Sequence, residues 1–320
     1  MNLNTIVWFA LILMLPNQLI GRDVVIKIDQ FDTKCCQIVG SCNGLICLWS
    51  PVSGLALYNP STREYCRLSD PPPMKAKTIS SCYGFGRDCI SHHYKIFKIS
   101  SILSDNAEYN SMAQVYNTST TNSWRNVGEF PMFVFVHKNG VVVNNKLHWS
   151  YINPHGDNIG SERIKILTCD LHTEEFAFES LQYPNTQVKG FVSYLTVSDG
   201  LLYLIVGKCS VSHVSIWVMK EYGVSDSWIK VADFVGSSLY KAVTCKSTSE
   251  GEEVLLIKCG LINGSSLKFE WYNFRDKSTK NVEISTNSRR ALVSHLAWEC
   301  TRSLTPIPGN DHKYSWERPF

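Results

Sequence analysis

Short runs of apolar residues alternate with polar turns along most of this chain. Runs of Val, Ile, Leu, Tyr and Phe recur between clusters of Gly, Asn, Asp and Ser, a pattern typical of β-strands joined by tight turns. The clearest runs are residues 44–49, 141–143, 146–149, 201–206, 214–218 and 254–257. No long internal stretch has apolar side chains at i, i+3, i+4 and i+7, so we expect little helix.

A strand that leads into a polar turn and then into a second apolar strand repeats five times. The turns begin, roughly 50 residues apart as in kelch-type propeller blades, at Tyr58, Tyr116, Cys169, Met219 and Tyr272. Three repeats also contain a hairpin dipeptide that tolerates positive φ: Asn43-Gly44, Asn144-Asn145 and Asp199-Gly200. Four strands per repeat make one blade. We therefore predict an all-β, kelch-like β-propeller whose five visible repeats are either incomplete or closed by the terminal strands.

The two ends of the chain differ from the repeats. Residues 6–15 are an unbroken apolar run, too short to span a bilayer, which needs about 20 residues. The five residues before it carry no Lys or Arg, unlike a signal peptide. We predict an apolar leader over residues 1–21 that is neither a clear signal peptide nor a transmembrane helix, a propeller over 22–300, and a disordered tail over 301–320.

The cysteines indicate the cellular compartment, and the charge limits the classes of partner. The 12 cysteines include no C-x-x-C pair, and most lie in apolar runs, where free Cys behaves as a small buried hydrophobe. This usage predicts reduced thiols and a cytoplasmic or nuclear protein, although sequons at Asn117 and Asn263 would suit a secreted one. A net charge of +3 without a run of basic residues argues against a nucleic-acid partner.

No pattern indicates catalysis, a cofactor or a metal. Adjacent strand residues point to opposite faces, so His92-His93 is predicted to lie in a loop or turn rather than to bind a metal. His148, beside Trp149, is predicted to be packed or hydrogen-bonded. The sequence contains neither H-E-x-x-H nor G-x-S-x-G. We therefore predict a non-enzymatic protein with no catalytic, metal-binding or cofactor-binding residue.

Several motifs resemble those of one family in their order and spacing. Residues 39–48 (VGSCNGLICL), residues 58–64 (YNPSTRE), and residues 83–86 (YGFG) with the following Tyr94-Lys95 are similar to the associated domain of plant F-box proteins. The resemblance continues through residues 123–125, 147–149 and 216–228 and covers roughly residues 35 to 300.

The resemblance implies an F-box-associated propeller that recognises a protein substrate for an SCF-type E3 ubiquitin ligase. In the family, an N-terminal F-box binds a Skp adaptor. No residues before Val39 resemble an F-box, so we expect the Skp adaptor as a partner only where an F-box is present elsewhere. Two alternatives stay open: a secreted glycan-binding or hydrolytic propeller, and a truncated, non-functional gene copy.

A polar insertion at residues 153–161 interrupts one repeat. Loops on a rigid scaffold carry specificity, and aromatic side chains dominate protein-binding hot spots. We therefore predict partner contacts at Trp149, Tyr151, His155 and Asp157, against the alternative of a tolerated surface loop.

Overall fold

The computed structural model describes most of the repeat region and parts of both ends. The described residues are 7–15, 18–26, 37–74, 77–103, 109–118, 123–131, 134–135, 139–152, 164–182, 191–208, 213–235, 238–248, 251–260, 267–282, 298–301 and 304–308. Within them the chain is almost entirely strand, with a single short 3-10 turn at Ser225–Ser227. The prediction of an all-β chain with little helix is confirmed.

The strands form five blades and one terminal sheet. The terminal sheet contains β1 (Val7–Leu15), β2 (Gln18–Ile26) and β24 (Trp298–Thr301). Blade 1 contains β3 (Gln37–Cys42), β4 (Leu45–Ser50), β5 (Gly54–Asn59) and β6 (Glu64–Arg67). Blade 2 contains β7 (Lys77–Arg87), β8 (Tyr94–Leu103), β9 (Tyr109–Asn117) and β10 (Ser123–Pro131). Blade 3 contains β11 (Val134–Phe135), β12 (Val141–Val143), β13 (Lys146–Ile152), β14 (Ile164–Asp170) and β15 (Phe176–Gln182). Blade 4 contains β16 (Phe191–Ser198), β17 (Leu201–Lys208), β18 (His213–Met219) and β19 (Trp228–Val235). Blade 5 contains β20 (Ser238–Thr248), β21 (Gly251–Gly260), β22 (Leu267–Asn273) and β23 (Thr279–Val282).

Strands at the inner edge of successive sheets contact one another around a ring. β3 contacts β7, β7 contacts β12, β12 contacts β16, and β16 contacts β20. The circle is completed by β24, which contacts both β20 and β3. Because β1 pairs in parallel with β24 and antiparallel with β2, strands from both ends of the chain build the sixth sheet. The fold is therefore a closed propeller, and the terminal strands close it.

The predicted hairpin dipeptides have the backbone that their residue types favour. Both residues of all three dipeptides have positive φ, between 48° and 79°. A two-residue hairpin turn with φ above zero at both positions matches the twist of the strands it joins. These turns connect β3 to β4, β12 to β13, and β16 to β17.

A second kind of turn recurs at the outer side of three blades. An Asn or Asp side chain accepts hydrogen bonds from the backbone N–H groups two and three positions later, and the residue four positions later adopts positive φ. The acceptors are Asn59, Asp170 and Asn273. The positive-φ residues are Arg63, Glu174 and Lys277. Short polar side chains stabilise such turns by replacing a backbone carbonyl, so this part of each repeat is determined locally.

Buried side chains fill the spaces between neighbouring blades. The cluster between blades 2 and 3 includes Phe97, Leu147, Trp149 and Leu167. Similar clusters lie between blades 1 and 2, 3 and 4, and 4 and 5. Blades 2, 3 and 4 therefore bury both of their faces against neighbouring blades, as expected for a propeller.

The described parts of the two chain ends pack into the ring. Residues 7–15, within the predicted apolar leader, form β1. Within the segment predicted to be disordered, Thr301 ends β24, Ile307 is buried in the cluster between blades 1 and 2, and the Asn59 side chain donates to the Thr305 carbonyl at 2.9 Å. One buried side chain can anchor a proline-rich segment that shows no apolar periodicity. The domain boundaries at residues 21 and 300 stay predictions.

Candidate functional site

Two of the four predicted contact residues lie in the protein core. Trp149 and Tyr151 are buried, with 0% and 1% of their surface exposed. Trp149 Nε1 donates to the Tyr83 carbonyl at 2.8 Å, and a β-carbon added at Gly84 would lie 2.5 Å from the Trp149 ring. Side chains two apart on a strand share a face, and this face of β13 meets blade 2. Both are packing residues between blades 2 and 3 in this structure, and their contact with a partner stays a prediction.

The other two predicted contact residues, His155 and Asp157, lie outside the described residues. They belong to the connection between β13 and β14. Their role in partner contact stays a prediction.

His148 lies on the opposite face of β13 and packs toward blade 4. It is fully buried, and its Nε2 atom lies 2.9 Å from the Tyr222 hydroxyl. Burial lowers the pKa of His148 to about 4, because a charged imidazole is disfavoured away from water. The prediction that His148 is hydrogen-bonded is confirmed.

The His92-His93 pair lies in the turn between β7 and β8, as predicted, and His92 has φ of 62°. The side chain that organises this turn is Asp88, which accepts from the Ser91 hydroxyl at 2.6 Å and lies 2.9 Å from His172 Nδ1 in blade 3. Burial would raise the pKa of Asp88, but hydrogen bonds from Ser91, His172, the Ile90 amide and Asn145 outweigh it and hold that pKa well below its usual range. The carboxylate thus ties blade 2 to blade 3. Among the described residues, no group of three or more His, Cys, Asp or Glu side chains could hold a metal ion.

A groove lies on the outer side of the ring between blades 2 and 3. We call it the rim groove and define it by residues 125–130, residues 173–176 and Phe178. Its volume is about 630 Å³, within the usual range for binding clefts. Its walls are β10 and the start of β15, the outermost strands of their blades, and each pairs with a single neighbouring strand.

A β-bulge in β10 determines which side chains reach the rim groove. The register shifts between Asn126 and Gly128, so Val127 is an extra residue in this strand. Arg125 lies opposite Val115, and Gly128 lies opposite Ala113. Since Val115 and Ala113 both belong to the cluster between blades 2 and 3, their partners on β10 share the face toward blade 3.

Three phenylalanines form the apolar part of the rim groove. The ring centroid of Phe130 lies 5.4 Å from that of Phe176 and 5.4 Å from that of Phe178. Phe176 also makes an edge contact with Phe97 of the core, which anchors the group. Phe178 is 41% exposed. A β-carbon added at Gly128 would meet no heavy atom within 4 Å, so the groove is open at that position.

An ion-pair network lies at one end of the rim groove. The Glu174 carboxylate pairs with Lys95 Nζ at 2.7 Å and with the Arg125 guanidinium. The side chains of Lys95 and Glu174 are 5% and 7% exposed, whereas that of Arg125 is 57% exposed. Lys95 Nζ also donates to the Leu171 carbonyl at 2.5 Å. The network holds two positive charges and one negative charge, and two further glutamates of the groove lining, both exposed, add negative charge on the solvent side.

The sequence offered only a partial signal for this groove. Phe176 stands at the start of a strand, and Phe178 two positions later shares its face by the period of a strand. The bulge at Val127 and the approach of β10 to β15 depend on residues far apart in sequence. These features emerge only in the folded ring.

The closed ring with blades of four antiparallel strands defines the class of protein as a β-propeller. A family model described as "F-box associated beta propeller domain" matches residues 16–298. The chain therefore belongs to the F-box-associated β-propeller family, and the resemblance found in its motifs is confirmed.

Curated relatives come from Arabidopsis thaliana. F-box protein CPR1 is 28% identical over 300 residues, which cover 85% of this chain and 70% of that protein. An F-box/kelch-repeat protein is 27% identical over 227 residues, which cover 68% of this chain and 55% of that protein. An F-box protein is 27% identical over 259 residues, covering 72% of this chain and 60% of the relative. The matched regions thus cover 55% to 70% of the length of these three relatives.

Solved structures give weaker likenesses. YjhT aligns with a TM-score of 0.44 and 12% identity over 74% of this chain and 80% of its own. A sucrose-6-phosphate hydrolase from Lactobacillus gasseri aligns with a TM-score of 0.45 and 8% identity over 78% of this chain and 60% of its own. Scores this low carry no argument about function.

Across the described parts of the chain, none of the helices has the length and apolar character needed to cross a membrane.

Proposed function

We propose that this chain is the substrate-recognition propeller of an SCF-type E3 ubiquitin ligase subunit, and that it binds a protein and catalyses no reaction itself. The observation that carries the proposal is the family match over residues 16–298. Each of the curated relatives described above is named as an F-box protein. A Skp-type adaptor is a partner wherever the expressed protein carries an F-box, and the substrate is a protein still to be identified.

The compartment that suits this function is the cytoplasm or the nucleus. Among the 12 cysteines of the chain, the described Cys42, Cys66, Cys82, Cys89 and Cys169 are thiols outside any disulfide, which supports a reducing environment. The secreted alternative requires processing near Gly21. Such cleavage would remove β1 and part of β2, and with them the pairing that joins the two chain ends. A secreted propeller is therefore the less favoured function.

A reconstituted ubiquitination reaction tests the proposal. The chain, fused behind the F-box of CPR1, is used as bait in plant extracts treated with a proteasome inhibitor. Each captured protein is then incubated with the fusion, the Skp adaptor, the cullin with its RING subunit, E1 and E2 enzymes, ubiquitin and ATP. We expect at least one captured protein to gain ubiquitin chains only when the propeller is present. If a fusion that carries the F-box without the propeller modifies the same proteins equally well, the proposed function is wrong.

A further inference from the structure

Two exposed glutamates give the rim groove a surplus of negative charge. Glu129 and Glu175 line the groove and are exposed, and neither carboxylate forms an ion pair with another residue that the structure describes. The third carboxylate of the lining, Glu174, is already paired with Lys95 and Arg125. Among the described residues of the lining, Arg125 is the one cation. Carboxylates therefore outnumber cations along this surface, and a positively charged group complements it.

The two exposed glutamates flank the aromatic cluster from opposite walls of the groove. Glu129 directly precedes Phe130 on β10, and Glu175 directly precedes Phe176 at the start of β15. The centroids of these two rings lie 5.4 Å apart. Consecutive Cα atoms are about 3.8 Å apart, and consecutive strand side chains point to opposite faces. The two carboxylates therefore stand at the margins of the ring cluster, each within one side-chain length of it.

The aromatic cluster is open to a ligand. Phe178 is 41% exposed, and its ring centroid lies 5.4 Å from that of Phe130. On β10, a β-carbon added at Gly128 would meet no heavy atom within 4 Å. Among the described strands β10 pairs only with β9, so its outer edge can accept the backbone of an extended segment. The groove thus combines a free strand edge, an apolar surface and a negative margin.

A Lys or Arg side chain has the two properties that this lining complements. Its aliphatic stem packs along an apolar surface while its charged head stays at the polar margin. The face of an aromatic ring also attracts a cation. An Asp or Glu side chain would instead meet the like charges of Glu129 and Glu175, and a wholly apolar side chain would leave both carboxylates unpaired. The lining therefore favours a basic side chain over an acidic or an apolar one.

We propose that the rim groove binds an extended, basic segment of a partner protein. The stem of a Lys or Arg side chain of this segment packs on Phe178, and its charged head pairs with Glu129 and Glu175. Arg125 repels the head from the other end of the groove and so determines the direction in which the segment lies. This proposal rests on the proposed function, because it assigns the chemistry by which the propeller recognises a protein.

The charge of the groove is tested by two kinds of variant. Glu129→Gln together with Glu175→Gln removes both exposed charges and keeps the size of the side chains. The matched control is Glu221→Gln together with Asp226→Asn, since both carboxylates are exposed in the turn region between β18 and β19 of blade 4. Arg125→Gln tests the sign of the charge, because it removes a repulsion for a basic ligand and an attraction for an acidic one.

The shape of the groove is tested by two further substitutions that leave the packing of the blades in place. Gly128→Trp fills the groove, since the space beside this position is open and its backbone is not left-handed. Phe178→Ser removes the exposed apolar surface. Ile229→Ser is the matched control, because Ile229 is 44% exposed and also lies on the outermost strand of its blade, β19. All of these variants should unfold within a few degrees of the wild type in thermal melts.

The probe is a library of random twelve-residue peptides displayed on their own mRNA and selected against the immobilised full chain. Selected peptides are synthesised with a fluorescent label, and their affinities are measured by fluorescence polarisation. We expect a Lys or Arg beside apolar residues in their shared pattern. Replacing that residue by norleucine, which keeps the stem and removes the charge, should weaken binding about tenfold or more. The chain carries a net charge of +3, so its overall charge does not favour basic peptides.

The variants locate the binding site of the selected peptides. The peptides should bind the double glutamine variant about tenfold more weakly than the wild type, with a smaller dependence on salt. Gly128→Trp and Phe178→Ser should weaken binding to a similar degree, because the stem loses its apolar contact. Both controls should bind like the wild type, and Arg125→Gln should bind at least as tightly.

Several outcomes would overturn this proposal. Selected peptides that are acidic, that lose affinity with Arg125→Gln, or that bind all variants alike would exclude it. A selection that enriches no peptide would also reject it, while the ubiquitination test of the whole propeller could still succeed through another surface. A dimer in light scattering that Gly128→Trp abolishes would assign the groove to a second copy of the chain. Conversely, groove-dependent basic peptides with no ubiquitination would contradict the proposed function alone.

Discussion

The buried pair of Lys95 and Glu174 gives the sharpest test of how blades 2 and 3 are joined. Their charged atoms lie 2.7 Å apart, and both side chains are at least 93% buried. Glu174→Gln keeps the shape of the side chain but leaves the Lys95 ammonium without its counter-charge. Removing one partner of a buried pair typically costs about 3–5 kcal/mol. Lys95 Nζ still donates hydrogen bonds to the carbonyls of Leu171 and His172. We therefore expect the free energy of unfolding to fall by the lower end of this range, about 3 kcal/mol.

The assay is urea unfolding followed by circular dichroism. With an m value of about 3 kcal/mol/M, a loss of 3 kcal/mol lowers the midpoint by about 1 M. The control is Arg125→Gln, which removes the other partner of Glu174. Since Arg125 is 57% exposed, solvent screens its charge, and its loss should cost at most about 1 kcal/mol.

A double variant separates charge from shape. Lys95→Met with Glu174→Gln removes both charges, so no uncompensated ion remains, and we expect the double variant to be more stable than Glu174→Gln alone. The coupling free energy in the double-mutant cycle should exceed about 1 kcal/mol. The reasoning is refuted if Glu174→Gln unfolds at the same urea concentration as Arg125→Gln, or if the two single effects simply add.

Three further predictions concern the other blade contacts. Because burial lowers the pKa of His148 to about 4, from about 6.5 in the unfolded chain, the unfolded state binds more protons between these values. The free energy of unfolding should therefore fall by about 2 kcal/mol as the pH is lowered from 6.5 to 4.5. Urea unfolding at the two pH values should show a smaller difference for His148→Gln than for the wild type. Trp149→Phe should cost about 2 kcal/mol in thermal unfolding, through a cavity and the loss of one hydrogen bond to the Tyr83 carbonyl, which still accepts from the Gly140 N–H. Partner binding by the folded protein should stay unchanged, and a specific loss of binding would indicate that Trp149 contacts a partner. Ile307→Ala should lower stability by about 2 kcal/mol, whereas Leu304→Ala, at a side chain that is 85% exposed, should change it by less than about 0.5 kcal/mol; equal effects would show that residues 304–308 do not anchor on blade 1.

The features that were predicted correctly are those with local causes. The hairpin at Asn43-Gly44 needs two adjacent residues that tolerate positive φ, and both residue types are visible in the sequence. The turn after Asn59 depends on a side chain that bonds to amides two and three positions later. The strands follow from apolar runs of suitable length. All of these interactions span a few residues, so their repetition revealed the propeller.

The exposure of Trp149 could not be determined in the same way. The pattern around it places Leu147, Trp149 and Tyr151 on one face of a strand, but either face of a strand can meet solvent or a neighbouring blade. The choice is made by Gly84 and Gly140, which leave room for the indole ring against blade 2. The rim groove depends in the same way on where β10 and β15 meet.

The sequence by itself determined the repeated blade, its two kinds of turn and its family, because short-range backbone preferences and recurring motifs carry that information. Only the tertiary structure decided how the ring closes. Leu11 pairs with Trp298, and a parallel contact between the two ends of the chain leaves no local pattern in either segment. The same holds for the rim groove, whose apolar end and charged end each combine side chains of blades 2 and 3 that meet only after the ring has formed.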